Sequence, residues 1–270
     1  MFLEAIPKLK KYTTGNFFLI AGSCVLESED ISLEIIETLT PICAALEIPF
    51  IFKASYKKAN RTSIQSFTGI GDKEALSLLK KIGAEQQTPV LTDIHESHEA
   101  AMVAKYVDII QIPAFLCRQT DLLVAAGKTE KPVNIKKGQF MSAASMKFSI
   151  EKVRSTGNTN VLLTERGSMH GMEDLIVDYR GIPVMKSFGV PVIMDVTHAL
   201  QKPNQTSGVT GGTPEFAEII AKAAIATGVD GLFIETHPKP ASALSDGSTS
   251  IPLKKMKTLL EKLVRLRQAL

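Results

Sequence analysis

Eight short apolar runs recur along this chain, each rich in β-branched or aromatic residues and each separated from the next by a longer stretch. They read "FFLIAGSC" (17–24), "PFIFKAS" (49–55), "PVLTDI" (89–94), "DIIQIP" (108–113), "PVNIKK" (132–137), "NVLLTERG" (160–167), "PVIMDVTH" (191–198) and "GLFIETH" (231–237). Between them, apolar residues fall at the three- and four-residue spacing of helices, as in "ISLEIIETLTPICAAL", "KEALSLLKKIGAE" and "TPEFAEIIAKAAIATG". The last of these places Thr213 as N-cap, Pro214 at the first helical position and Gly228 as the stop. Strands that alternate with helices build a parallel sheet through right-handed crossovers. Eight strands close a (β/α)8 barrel; an open doubly wound sheet is the alternative. The way the runs end favours the barrel. At or near their ends stand the polar or reactive residues Cys24, Lys53, Asp93, Gln111, Lys136, Arg166, His198 and Glu235. Such a series predicts one face on which the strand C-termini converge, where barrel active sites lie.

A length of 270 residues suits one such barrel, and no low-complexity linker divides it. A single domain over residues 1–270 is expected, with 1–14 as an N-terminal hairpin or extension. The net charge of +3 argues against a nucleic-acid partner, which calls for a strongly basic face. The N-terminus lacks the apolar core of a signal peptide, and no run of about 18 apolar residues offers a membrane span. Cys24, Cys43 and Cys117 are too sparse for a disulfide framework. The expectation is a cytoplasmic protein. Cys43, inside a helical apolar pattern, reads as core.

The run ends suggest chemistry. Lys53, Lys58, Lys136 and Arg166, brought together, would hold a ligand with several negative charges. The plainer reading of "KK" at 57–58 and at 136–137 is a pair of solvated lysines. Cys24, His198 and Glu235 end the first, seventh and eighth runs, and Asp246 lies in the loop after the eighth. Thiolate, imidazole and two carboxylates suit Zn, Fe, Mn or Co. Spacing alone leaves this open against a core cysteine and a hydrogen-bonded core histidine. His95 and His98 read as surface residues at a helix start, and His170 and His237 carry no assignment. The glycines of "GVTGGTPEF" form no dinucleotide fingerprint.

The order "IAGSCVLES", "FKASYKKANRTS", "LTDIHE", "IIQIPAFLCRQTDLL", "VNIKKGQF", "TERG", "DVTHALQ", "FIETHP…LSDGS" resembles 3-deoxy-D-manno-octulosonate 8-phosphate synthase from about residue 17 to the C-terminus. The resemblance implies a (β/α)8 barrel, commonly a homotetramer. It implies condensation of phosphoenolpyruvate with D-arabinose 5-phosphate and water, for lipopolysaccharide biosynthesis. Lys53, Ser55, Lys58, Gln111, Pro113, Ala114, Lys136 and Arg166 would surround phosphoenolpyruvate. Asn60, Arg61 and Thr62 would hold the sugar phosphate, and Arg118 would reach a neighbouring subunit's site. Cys24, where metal-independent members have Asn, implies the metal-dependent type, with Cys24, His198, Glu235 and Asp246 as ligands. Lys53 is then the candidate to protonate the new alkoxide or support that transfer. Asp93 would orient the sugar or a proton relay, and His198 would also contact substrate.

Two features depart from the pattern. Lys57 stands where an acidic residue is usual, and the loop "QKPNQTSGVTGG" differs in its middle. The nearest alternative is 3-deoxy-D-arabino-heptulosonate 7-phosphate synthase, which uses erythrose 4-phosphate and usually reads "KPRTSP" in place of "KANRTS". A sialic acid synthase would need a further C-terminal domain. A non-catalytic phosphosugar-binding barrel would keep the cations without needing the four ligands.

Overall fold

A computed structural model describes residues 2–61, 63–171, 174–202 and 211–270. Each apolar run contains a strand: β1 (Phe18–Gly22), β2 (Phe50–Lys53), β3 (Val90–Asp93), β4 (Ile109–Ile112), β5 (Val133–Lys136), β6 (Val161–Glu165), β7 (Val192–Asp195) and β8 (Gly231–His237). All neighbours are parallel, and β1 also pairs with β8 from Phe18↔Gly231 to Gly22↔Glu235, so the sheet closes. The helices between are α1 (Glu29–Ala45), α2 (Asp72–Glu85), α3 (Ala100–Val103), α4 (Thr120–Gly127), α5 (Met146–Arg154), α6 (Gly181–Lys186), α7 (Ala217–Ala226) and α8 (Met256–Gln268). This is the (β/α)8 barrel, not the open sheet.

Period-two alternation along each strand explains where the core sits and why the site lies at one end. Leu19, Phe52, Ile110, Val133, Leu163, Val192 and Leu232 pack outward with helix residues such as Ile36, Leu79, Val153 and Leu260. The alternate residues Phe18, Ile20, Ile51, Leu91, Ile109, Leu162, Ile193 and Phe233 form a separate cluster inside the barrel. Two positions further along the same strands the inward residue turns polar: Ile51 gives way to Lys53, Leu91 to Asp93, Ile109 to Gln111, Leu162 to Thr164, Ile193 to Asp195 and Phe233 to Glu235. One end of the barrel interior is therefore oily and the other charged.

The oily end is closed by the N-terminal extension. A 3-10 turn at Phe2–Ala5 leads in, and Ile6 and Leu9 pack into the interior cluster. No hairpin forms there among the described residues. Lys8 anchors the extension on Asp108, 2.7 Å away, whose Oδ2 also accepts the Val90 N–H. At the start of α7, Pro214–Phe216 is a 3-10 turn and Thr213 makes no capping side-chain bond. Gly228 does end the segment, with φ +78°.

Candidate active site at the polar end of the barrel

The polar ends of the strands surround a cleft. Lys53, Lys58, Asp93, Gln111, Lys136, Arg166, His198 and Asp246 all line it, as do Asn60, Pro113 and Ala114. Its cations differ in how they are held. Lys53 donates to the Cys24 carbonyl (2.9 Å), Ser55 Oγ (3.0 Å) and Glu235 Oε1 (3.2 Å). Burial disfavours its charge, but Asp93 and Glu235 outweigh burial and raise its pKa. Lys136 donates to Asp195 Oδ2 at 2.6 Å and sits 3.7 Å from the centre of the Phe233 ring. There burial wins over Asp195, and the pKa of Lys136 falls.

Arg166 is buried, and its Nη2 donates to Gln201 Oε1 at 2.6 Å. Its Nη1 has no partner, and Arg166 makes no ion pair within 4.0 Å among the described residues. A buried guanidinium left partly unpaired is costly unless an anion completes it. The backbone that aims it is fixed from behind. Glu165 Oε1 accepts the N–H groups of Arg166 (2.9 Å) and Gly167 (2.7 Å), and Lys137 lies 3.3 Å from that oxygen. Lys137 is thus buried, not solvated, and also bonds Ser168 Oγ at 3.0 Å.

Asp246 lines the cleft, and ligand atoms of Cys24, Glu235 and Asp246 lie within 4.8 Å of one another. Cys24 Sγ is 3.1 Å from Asp246 Oδ2 and 3.1 Å from Lys58 Nζ. Burial, Asp246 and Glu235 push the thiol's pKa well up. Glu235 Oε2 is buried without a partner. His198, the fourth residue expected there, is not part of that three-residue group but stands next to Glu235. Its Nδ1 faces Asp195 Oδ2 at 2.8 Å and its Nε2 faces Glu235 Oε1 at 3.4 Å. With the proton on Nδ1, the Nε2 lone pair is directed at the cluster. Asp246 holds φ +46°, a backbone state that Asp tolerates better than most residues. An orphaned carboxylate oxygen, a thiol, a second carboxylate and an oriented imidazole fit a divalent transition metal.

Several expected residues stand elsewhere. Arg61 Nη1 donates to the Ser66 carbonyl at 3.1 Å, and Arg61 does not line the cleft. Arg118, expected at a neighbouring subunit's site and not at this one, is exposed. Thr62 and the middle of the 201–212 loop, at 203–210, lie outside the described residues. His95 is not a surface residue. Its side chain packs by Tyr56, and its Nδ1 lies 3.6 Å from the buried Glu99. His237 is buried too, 3.7 Å from Glu27. Asp195, which organises both His198 and Lys136, was not singled out in sequence. The D-x-x-H spacing just after a strand was its signal.

A profile described as the DAHP synthetase I family matches residues 10–270. Proteins named 2-dehydro-3-deoxyphosphooctonate aldolase are similar over nearly the whole chain. The Koribacter versatilis protein is 50% identical over 97% of this chain and 96% of its own. That of Desulfotalea psychrophila is 52% identical over 93% and 90%, and that of Cyanothece sp. 47% over 99% and 98%. The chain therefore belongs to the DAHP synthetase I family and, within it, to the 2-dehydro-3-deoxyphosphooctonate aldolases, also called 3-deoxy-D-manno-octulosonate 8-phosphate synthases.

Proposed function

We propose that the chain uses this cleft to condense phosphoenolpyruvate with D-arabinose 5-phosphate and water, giving 3-deoxy-D-manno-octulosonate 8-phosphate and phosphate for lipopolysaccharide biosynthesis. The observation that carries the assignment of the cleft is the buried, half-partnered Arg166 set beside Lys136, Lys53 and Lys58. Two anions must meet for this reaction, and these cations cancel their repulsion. Lys58, Lys136 and Arg166 bind the phosphate and carboxylate of phosphoenolpyruvate, with Ser55, Gln111, Pro113 and Ala114 shaping the floor and rim. Carbon 3 of the enol attacks the aldehyde carbon, water adds at carbon 2, and the tetrahedral species loses phosphate by carbon–oxygen cleavage. Lys53, held charged with its donors committed, supports the alkoxide through its field more than by giving up a proton. Asp93, which accepts from Ser55 and Gln111, orients the polar floor toward the sugar.

The chain is of the metal-dependent type in this reading. Cys24, His198, Glu235 and Asp246 hold a divalent Mn, Fe, Co or Zn ion, which when bound supplies Lewis-acid polarisation of the aldehyde oxygen or activation of the water. Asn60, Arg61 and Thr62 meet the sugar phosphate. Arg118 serves a neighbouring subunit in a homotetramer. Exposed Phe115, Phe140 and Met169, on the loops after β4, β5 and β6, support a subunit interface on that side. One domain over 1–270 and a cytoplasmic setting complete the reading; no described helix is long and apolar enough to cross a membrane.

Phosphate release, measured with each sugar phosphate before and after EDTA, tests this. The expected result is turnover with arabinose 5-phosphate, loss in chelator, and recovery with Mn²⁺ or Co²⁺. Activity with erythrose 4-phosphate alone overturns the substrate. Full activity of Cys24→Ala in chelator overturns the metal.

A further inference from the structure

Strand register lays a row of polar side chains round the inside of the barrel, at the level of the cleft floor. Asp93 pairs in register with Gln111, and Gln111 with Asn134. Thr164 of β6, in register with Lys136, joins the row by a diagonal side-chain contact. Thr164 Oγ1 donates to Asn134 Oδ1 at 2.7 Å, Asn134 Nδ2 to Gln111 Oε1 at 2.9 Å, and Gln111 Nε2 to Asp93 Oδ1 at 2.9 Å. From the other side Ser55 Oγ donates to Asp93 Oδ2 at 2.6 Å. Every hydrogen in the row points toward Asp93, and a carboxylate only accepts.

This polarity fixes the amides. Beside Asp93, the Gln111 side chain has one favourable orientation, with its nitrogen toward the carboxylate. Its oxygen is then turned to Asn134, whose N–H satisfies it, and the Asn134 oxygen in turn takes the Thr164 hydroxyl proton. Asn134 and Thr164 are fully buried at 0% exposure, and neither lines the cleft, whereas Gln111 does. Removing a donor from such a row strands a buried acceptor and frees the neighbouring amide to turn.

We propose that Asn134 and Thr164 are positioning residues for substrate binding: they lock the Gln111 amide so that it presents N–H, not oxygen, to the anion in the cleft. The Gln111 nitrogen carries two hydrogens and Asp93 takes one, so the second is free for a carboxylate or phosphate oxygen. A flipped amide would set its carbonyl oxygen against both Asp93 and the ligand. The inference rests on the reading of Gln111 as part of the phosphoenolpyruvate site.

Steady-state phosphate release by the intact enzyme tests it, with Thr164→Val, Thr164→Ser and Gln111→Met compared with wild type. Valine keeps the shape of threonine and removes the donor. The KM for phosphoenolpyruvate should rise about tenfold in Thr164→Val, the effect of one neutral hydrogen bond. The KM for the sugar phosphate and the bound-metal content should stay within about twofold, and Thr164→Ser should restore the wild-type values. A merely structural hydroxyl would lower the melting temperature and leave the ratio of the two KM values alone. Where valine prevents folding, Asn134→Asp makes the same test, since an oxygen then replaces the donor that faces Gln111. If Gln111→Met raises the KM for phosphoenolpyruvate while Thr164→Val or Asn134→Asp leaves it unchanged, the positioning role is overturned. If Gln111→Met also leaves it unchanged, the site assignment itself has failed and the inference falls with it.

Discussion

Two lysine doublets occupy matching places in the barrel, Lys57–Lys58 in the loop after β2 and Lys136–Lys137 at the end of β5. In each, one lysine enters the cleft: Lys58 reaches Cys24, and Lys136 reaches Asp195. In each, the other turns behind the cleft wall to a carboxylate that caps backbone N–H groups. Lys57 meets Glu99 at 2.5 Å, and Glu99 accepts from His95 and Glu96. Lys137 meets Glu165, which accepts from Arg166 and Gly167. The two rear pairs differ in water. Lys137 and Glu165 are 2% and 3% exposed, whereas Lys57 is 27% exposed and shares its charge with Asp72. Adjacent lysines that look alike in sequence therefore divide into ligand binding and loop fixation, and burial decides how much the second duty contributes.

The largest effect belongs to a cleft-facing member. Lys136→Met removes a charge from the bound anion and leaves Asp195 without a partner that also steadies His198. A loss of about a thousandfold in kcat/KM is expected, in line with deletion of a key electrostatic donor. The melting temperature should fall as well, because Asp195 is left a buried carboxylate with only His198 beside it, so the loss of kcat/KM is measured on the folded fraction well below that temperature. A variant of near-normal kcat/KM would assign both members of the doublet to structure.

Next comes Lys137→Met. Breaking a buried pair from one side strands the other charge, at a cost of about 3 kcal/mol, which lowers the melting temperature by roughly 6–12 °C. Glu165→Gln added to it sharpens the comparison. The glutamine oxygen can still cap Arg166 and Gly167, and no uncompensated charge remains. The double variant should recover more than half of the lost stability, measured by thermal unfolding. If it is no better than Lys137→Met alone, the bonds of Lys137 to Ser168 and to nearby carbonyls matter more than its pairing with Glu165.

The doublets also show what a sequence makes legible. Strand number, barrel closure and the polar mouth follow from local patterns, because period-two alternation and a polar run end are properties of a few consecutive residues. Lys53, Asp93, Gln111, Lys136, Arg166, His198 and Glu235 were readable in that way. Lys137 was not, because its burial is set by the loops after β5 and β6 folding over it, which no neighbour in the chain announces. Asp195 and Thr164 escaped for a related reason. Each is an ordinary strand residue until the barrel closes and sets it beside a residue of a different strand. His95 misread as surface because Tyr56 and Glu99, which bury it, come from another loop and the next turn. The fold was thus local information, and half of the site was information about closure.

The smallest effect tests the wetter pair. Lys57→Met breaks an ion pair that is partly exposed, so about 1 kcal/mol or less is expected at neutral pH. Its signature lies in the pH dependence. Burial tends to raise the pKa of Glu99, but hydrogen bonds from His95 and Lys57 outweigh it and hold that carboxyl well below its ordinary value of 4.5. A depressed folded pKa adds stability that is fully present above the unfolded pKa and is lost as pH falls below it toward the folded one. Removing Lys57 takes away one source of that depression, so Glu99 protonates at higher pH. The stability lost in Lys57→Met should therefore be greatest at pH 7 and shrink as pH falls through the range where Glu99 protonates, and the acid-unfolding midpoint should move upward by about half a pH unit. Lys57→Arg should keep the wild-type midpoint. An unchanged midpoint in Lys57→Met would mean that His95 and the backbone hold Glu99 alone, and that the lysine at this unusual position is a solvated neighbour of a site already built.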